Sequence, residues 1–339
     1  PPVKNAPIHC QRSQPLVSVV MAVHNGSRYL PEALRSLREQ TFSSFECIVV
    51  DDGSTDETPA LLKGTVREDD RFRVIARPNR GLTRSLNEGI LAAAGEYVAR
   101  MDGDDVCLPD RFSRQVAWLR TNPACVAVGG QVMRIDEDGW PIGPWSVPLT
   151  HDAIDALHLG GLGGGMVHPA TMIRRDALMS LGGYEESLEA AQDFDLWLRL
   201  AERGRLANLN ELILNYRVHL TSVSIGRRTL QFECLKRACL AARVRRGLPG
   251  EPDRLKRSTD KLTPFQLRRQ FVRLALKSGC FGTARKHALA GWRREPLLPA
   301  SWLHVFASFL APLVPRHRSP ESHYPRPRVG VEPAERTTP

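Results

Sequence analysis

Between residues 17 and 102 the chain alternates short apolar runs with helical patterns, and each run ends in polar residues. No other feature narrows the possible folds as much. Val17-Ser18-Val19-Val20-Met21-Ala22-Val23 is almost continuously apolar, the pattern of a strand covered on both faces in a parallel sheet. A helix is predicted from about Ser27, with Pro31 in its first turn and Leu30, Leu34 and Leu37 on one face. Cys47-Ile48-Val49-Val50 follows as a strand, then a helix near 56–63 and a short strand, Arg73-Val74-Ile75-Ala76. A helix marked by Leu82, Leu86 and Ile90 stops at Gly95, and a last strand of this series runs through Tyr97 to Asp102. Repeated strand and helix of this kind predict βαβ units, hence an α/β protein with a doubly wound sheet. Ligands of such sheets lie beyond the carboxyl ends of the strands. His24-Asn25, Asp51-Asp52 and Asp102 to Asp105 all fall at such ends, which predicts one polar crevice for a nucleotide-type ligand.

The phrase Arg100-Met101-Asp102-Gly103-Asp104-Asp105 carries the most chemistry. Carboxylates crowded at a strand end repel one another, and a hard divalent cation that also takes substrate phosphates relieves that repulsion. An Asp-x-Asp alone is common in surface turns, so its companions matter. Val49-Val50-Asp51-Asp52-Gly53-Ser54 lies upstream and Gln192-Asp193-Phe194-Asp195-Leu196-Trp197 downstream. Each has a plainer reading as well. Asp51-Asp52-Gly53-Ser54 suits a turn and helix cap, and Asp193 with Asp195 suits the positive end of a helix dipole.

In this order and spacing, the blocks resemble the family 2 glycosyltransferases, inverting nucleotide-sugar enzymes of the GT-A fold. The resemblance runs from Pro15 to about His219 through residues 17–26, 49–56, 100–105, 168–175 and 192–200. It implies a Rossmann-like mixed sheet flanked by helices and a nucleotide-diphosphate donor, most commonly of uridine. It also implies that Ala22, Asn25, Asp52, Arg80 and Asp102 line the nucleotide-sugar. Asp104, with Asp102, would hold Mg²⁺ or Mn²⁺, and Asp193 would be the general base that deprotonates an acceptor hydroxyl. The family pairs a Glu with that Asp, whereas here the pair is Gln192-Asp193. Losing a like charge lowers the basicity of Asp193. Two rival readings are a sugar-phosphate nucleotidyltransferase and a non-catalytic nucleotide-sugar-binding protein. The first expects a Gly-rich, Arg/Lys-bearing loop after the first strand, where this chain reads His24-Asn25-Gly26-Ser27. The second draws on Gln192 alone.

Other residues have two readings each. His168, before Pro169, either touches the diphosphate or metal or anchors its loop. The glycines of 160–165 form either a lid over the donor or a flexible connector. Arg80 and Arg84 are placed to pair with phosphate. Trp140 and Trp145 sit in a Pro/Gly-rich loop, where they would stack on an acceptor sugar.

Charge divides the chain. Residues 227–339 carry 24 Lys/Arg against 8 Asp/Glu, whereas residues 1–226 carry 23 against 29. The basic third suits a membrane surface, solvent or, less well, nucleic acid. Its stripe of Trp302, Leu303, Phe306, Phe309, Leu310 and Leu313 either lies at a membrane interface, where a glycan or lipid-linked acceptor would be met, or packs back on the first domain. The apolar run ends at Pro315, short of the roughly 20 residues that span a bilayer. Seven scattered cysteines without a C-x-x-C pair favour a reducing compartment. The Pro-rich start has neither an initiator Met nor a signal-peptide pattern, as in a trimmed chain. The predicted location is cytoplasmic, at the inner face of the membrane if the basic region reaches lipid. The expected organisation is a disordered lead-in (1–15), a GT-A domain (16–226), a basic helical extension (227–318) and a disordered tail (319–339).

Overall fold

The computed structural model describes residues 14–219, 228–252, 255 and 263–311. The expected lead-in and tail lie almost wholly outside the described residues, as does Leu313.

The apolar runs become the parallel half of one nine-stranded sheet. β1 (Val17–Val23) pairs in parallel with β2 (Phe45–Asp52) and β4 (Tyr97–Asp102), and β2 pairs in parallel with β3 (Phe72–Arg77). The helices α1 (Leu30–Arg38), α2 (Thr58–Glu68) and α3 (Leu82–Ala92) make the crossovers. Both faces of β1 are buried, which is why it reads as a continuous apolar run. Val17, Val19 and Met21 pack with Leu30, Leu34 and Leu37 of α1 and with Phe112 of α4 (Arg111–Thr121). Val20 packs on the opposite face with Leu86 and Ile90 of α3, and with Leu196 and Trp197 of α7 (Gln192–Ala201).

Beyond β4 the sheet turns mixed. It runs β3-β2-β1-β4-β8-β6-β9-β5, where β5 is Val106–Cys107, β6 Cys125–Ile135, β8 Met172–Arg174 and β9 Arg205–Arg217. β8 is antiparallel to both β4 and β6. The Trp/Pro/Gly stretch expected as a loop contributes β7 (Pro141–Trp145), an antiparallel partner of β6. Prolines at its ends suit an edge strand, where a missing N–H costs no ladder bond.

The glycine run is packed in part. It follows α5 (His151–Leu159), and its first two glycines are buried. Gly161 and Gly164 have φ of +84° and +83°, and side chains there would press on Leu255 and Trp145. Close packing and left-handed backbone therefore demand glycine here. α6 (Arg175–Ser180) follows β8.

Four helices follow the sheet among the described residues: α8 (Arg228–Arg245), α9 (Pro264–Lys277), α10 (Phe281–Arg294) and α11 (Pro299–Leu310). Ala238, Cys239 and Ala242 of α8 pack on Phe194 and Leu198 of α7. α9 begins with a capping box between Thr263 and Gln266, and its Leu267 and Phe271 cover Ile142 of β7. α10 is fastened to the β6–β7 turn through the fully buried Asp136. One oxygen of Asp136 accepts bonds from the Asp138 and Trp140 backbone N–H groups; the other meets Lys286 Nζ at 2.6 Å and His287 Nε2 at 2.8 Å.

Candidate active site

The carboxyl ends of β1, β2 and β4 lie side by side, with Ala22 in register with both Val50 and Asp102. Three polar clusters distant in sequence thus meet, as sheet topology requires.

Asp51 and Asp52 are both buried, and both brace loops. Asp51 accepts from the Ser54 N–H at 3.0 Å. The Asp52 carboxylate takes the Arg80 N–H at 2.8 Å and the Gly81 N–H at 2.9 Å, with Arg77 Nη2 at 3.3 Å. Asp52 therefore shapes the turn that carries Arg80, whose own side chain is exposed. Asn25 has φ of +53°, in the left-handed region that Asn tolerates better than most residues. Its Oδ1 accepts from the Thr55 N–H at 2.8 Å, and its own N–H donates to Ser54 Oγ at 2.9 Å. Arg84 pairs with Glu186 at 3.2 Å.

At the end of β4, Asp102, Asp104 and Asp105 each turn one oxygen into a cluster whose atoms lie within 4.8 Å of one another. Asp105 is almost fully buried; its Oδ1 accepts from the Arg217 N–H at 2.8 Å, while its Oδ2 has no hydrogen-bond partner among the described residues. Burial, reinforced by Asp104 and Asp102, pushes the Asp105 carboxyl well above its usual range. Burial also raises Asp102, against the opposing charge of Arg100. A buried carboxylate oxygen without a donor and crowded like charges are what a hard divalent cation relieves. The donor set therefore fits Mg²⁺ or Mn²⁺.

Basic side chains surround this cluster, and sequence reasoning assigned them no role. Arg100 sits two residues before Asp102 on β4, so both side chains leave the same face. Its guanidinium donates to Asp102 Oδ1 and to the Met101 carbonyl. Arg217 Nε donates to the Asp104 carbonyl at 2.7 Å, its Nη1 to the Asp136 carbonyl at 3.2 Å and its Nη2 to Glu32. His219 Nε2 lies 2.9 Å from Asp104 Oδ2. One signal was available: charged residues at alternate positions ending an otherwise apolar strand.

Asp193 is the second residue of α7, whose N-cap Ala191 has φ of +53°. Burial raises the Asp193 carboxyl; Asp102 adds to the rise and Arg100 opposes it, so α7 brings Asp193 into the electrostatic reach of the β4 cluster. Gln192 is buried beside it. Asp195 binds Arg199 Nε at 2.7 Å, a structural pair within the helix. His168 lies in a one-turn 3₁₀ helix with Nε2 2.6 Å from the Tyr184 hydroxyl and its ring against Trp197. Burial, with the positive charge of Arg100, drives its basicity well below that of a free histidine. Through Tyr184, His168 ties its one-turn helix to the segment that precedes α7. Trp145 packs edge-on against Tyr216, not into open solvent, whereas Trp140 stays partly exposed beneath Lys286. A separate cavity of about 600 Å³ opens at the other end of the sheet, lined by Leu16, Glu96 and Arg174, and takes no part in this arrangement.

A parallel sheet with a mixed continuation and a carboxylate cluster at the carboxyl end of β4 is the GT-A arrangement, and solved structures share that fold. The mannosyltransferase PcManGT from Pyrobaculum calidifontis aligns with a TM-score of 0.53 at 20% identity, covering 88% of this chain and 81% of that one. S. aureus TarS aligns with a TM-score of 0.53 at 18% identity, covering 88% and 91%. The family model described as Glycosyl transferase family 2 matches residues 18–182. The O-antigen biosynthesis glycosyltransferase WbnJ of Escherichia coli is 31% identical over 208 residues, which are 60% of this chain and 80% of that protein. The chain belongs to glycosyl transferase family 2.

Proposed function

We propose that the protein transfers a sugar from a nucleotide-diphosphate donor, with inversion, to a hydroxyl of a glycan or lipid-linked acceptor. The carboxylate cluster of Asp102, Asp104 and Asp105 at the end of β4, with Asp193 within the electrostatic reach of Asp102, carries this reading. Asp102 and Asp104 would hold Mg²⁺ or Mn²⁺, which would supply Lewis-acid stabilisation to a departing diphosphate. Asp193 takes the proton of the acceptor hydroxyl as that oxygen attacks the anomeric carbon from the side opposite the leaving group. Its raised basicity suits it to that task, and assistance of this kind contributes about 10²–10⁴-fold. Ala22, Asn25, Asp52 and Arg80 shape the nucleotide end, Asp52 by fixing the 80–81 turn. Gln192 precedes the base in α7, and His168 packs against Trp197 of the same helix.

The TarS structure is a complex with UDP-GlcNAc and the PcManGT structure a complex with GDP-Man and Mn²⁺. A uridine donor is our first choice, and an envelope polysaccharide, as WbnJ's name carries, our choice of product class. The basic C-terminal region gives such an enzyme a peripheral contact with the inner face of a membrane. Among the described residues no helix is long and apolar enough to cross one.

The test is a thermal-shift screen of UDP, GDP, dTDP and their sugars, with and without Mn²⁺ or Mg²⁺, on the native chain and on Asp104→Ala. A ligand at about 100 times its Kd stabilises the fold by about 2.7 kcal/mol. A metal-dependent shift that the variant loses supports the reading. A shift that the variant keeps removes Asp104 from the donor site, and no shift with any nucleotide overturns the proposal.

A further inference from the structure

Helix α11 is turned inside out. The residues it buries are Ser301, His304 and Ser308, spaced i, i+3 and i+7 along one face. The residues it exposes are Trp302 at 43%, Leu303 at 67%, Phe306 at 57%, Phe309 at 49% and Leu310 at 57% of their surface. A helix that only completed a soluble fold would bury that apolar stripe. The preceding turn extends the patch, because Leu297 is 95% exposed and Leu298 is 39% exposed. The stripe is ordered: Trp302 donates its indole N–H to the Pro296 carbonyl at 2.9 Å and packs on both Trp292 and Phe306.

The surroundings say what covers it. Between Thr263 and Ala311 the chain carries eight Lys/Arg and a single acidic residue, Glu295. Arg293 and Arg294 end α10 exposed beside the patch, and the Arg285 guanidinium lies 5.0 Å from the centre of the Phe309 ring. Tryptophan, phenylalanine and leucine on one face with arginines at the edge are the make-up of a helix lying in the plane of a lipid interface. The arginines would meet anionic headgroups while the rings enter the acyl boundary. A partner protein would also accept an apolar face, but the cationic border favours a negatively charged surface.

We propose that α11, with the 297–298 turn, is the element that seats the protein on an anionic membrane surface. This deepens the peripheral contact proposed above and identifies the helix and face that make it. It does not depend on the donor chemistry. A surface of this kind brings the carboxylate crevice to acceptors held in lipid and leaves the chemistry to the sheet.

The test is co-sedimentation of the full chain, without nucleotide, with phosphatidylcholine vesicles and with phosphatidylcholine–phosphatidylglycerol vesicles. It is repeated for Trp302→Ser/Phe306→Ser/Phe309→Ser and for the single variant Leu303→Lys, whose site is too exposed to endanger folding. The expected result is binding to the anionic vesicles, at least about tenfold weaker in the triple variant and weaker in Leu303→Lys, with nucleotide-induced thermal shifts unchanged. Equal binding of the native chain and both variants would overturn the proposal. So would failure of the native chain to bind anionic vesicles. A native dimer that the variants turn into monomers, with no vesicle binding, would assign the face to a second copy and also overturn it. Loss of the nucleotide shift with vesicle binding intact would instead strike the glycosyltransferase reading.

Discussion

The sheet domain and the C-terminal helices place polarity in opposite ways. In the sheet domain charge is taken inside, and most of it is given partners there. Arg111 is fully buried, yet its guanidinium reaches the Arg100 carbonyl at 2.8 Å, the Thr171 carbonyl at 3.1 Å and Gln115 Oε1 at 3.1 Å. Arg217 does the same between α1, the β6–β7 turn and the carboxylate cluster. In α11, by contrast, hydroxyls and an imidazole are turned inward and the aromatic rings outward. Buried charge with several partners fixes geometry, which a site for a diphosphate needs. Apolar surface held outward is useful only where another apolar phase is present. One region is built to hold its own shape, the other to meet something else.

The strongest way to break this contrast is at the base. Asp193→Asn should lower transfer by about 10²–10⁴-fold while leaving the nucleotide-induced thermal shift in place. If Asp193 is the base, the rate of the native enzyme should rise with pH through a value above that of an ordinary aspartate, because burial raises its carboxyl. A flat profile across that range would remove Asp193 from the role.

Packing comes next. Leu198→Ala, in the seam between α7 and α8, should cost about 2–5 kcal/mol in a denaturant titration. A much smaller loss would mean that α8 is only loosely joined to the sheet domain.

Asp136 sharpens the comparison, since it is the charged rivet between the two regions. Asp136→Ala leaves Lys286 and His287 without their carboxylate and should cost about 3 kcal/mol. Burial alone would raise the Asp136 carboxyl, but hydrogen bonds from His287 and Lys286 outweigh it and hold the group at about 2. The stabilisation is therefore complete above the ordinary aspartate value of about 3.9 and fades as pH falls towards the folded-state value. Acid titration of stability should show this loss in the native chain and not in Asp136→Asn.

The smallest effect belongs to the exposed stripe. Leu303→Ser should change stability by no more than about 0.5 kcal/mol, because its side chain leaves water little more in the folded chain than in the unfolded one. A large loss would show that the stripe is packed against something in the folded chain.

Much of the sheet domain was legible beforehand, for a local reason. Strand periodicity, helix starts and polar strand ends depend on neighbours a few residues away, and sheet topology then sends those ends to one edge. Asp52 and Asp102 end at the same edge of the sheet because β2 and β4 both pair in parallel with β1. In the glycine run flexibility and close packing demand the same residue, so the contacts of Gly161 with Leu255 and of Gly164 with Trp145 came only with the fold. Asp52 showed in the sequence as a polar strand end, but its grip on the Arg80 and Gly81 N–H groups needed the fold.

By itself, then, the sequence determined the alternating elements, the doubly wound parallel half and the carboxylates at its mouth, all consequences of short-range pattern. Tertiary structure alone decided that Arg217 and His219 close on Asp104 and Asp105 from more than a hundred residues away, that Asp136 joins α10 to the sheet, and that α11 faces outward. An arginine or an aromatic residue has the same local pattern whether it is buried or exposed. What distinguishes the two is the partner across space, and the chain supplies that partner only once it has folded.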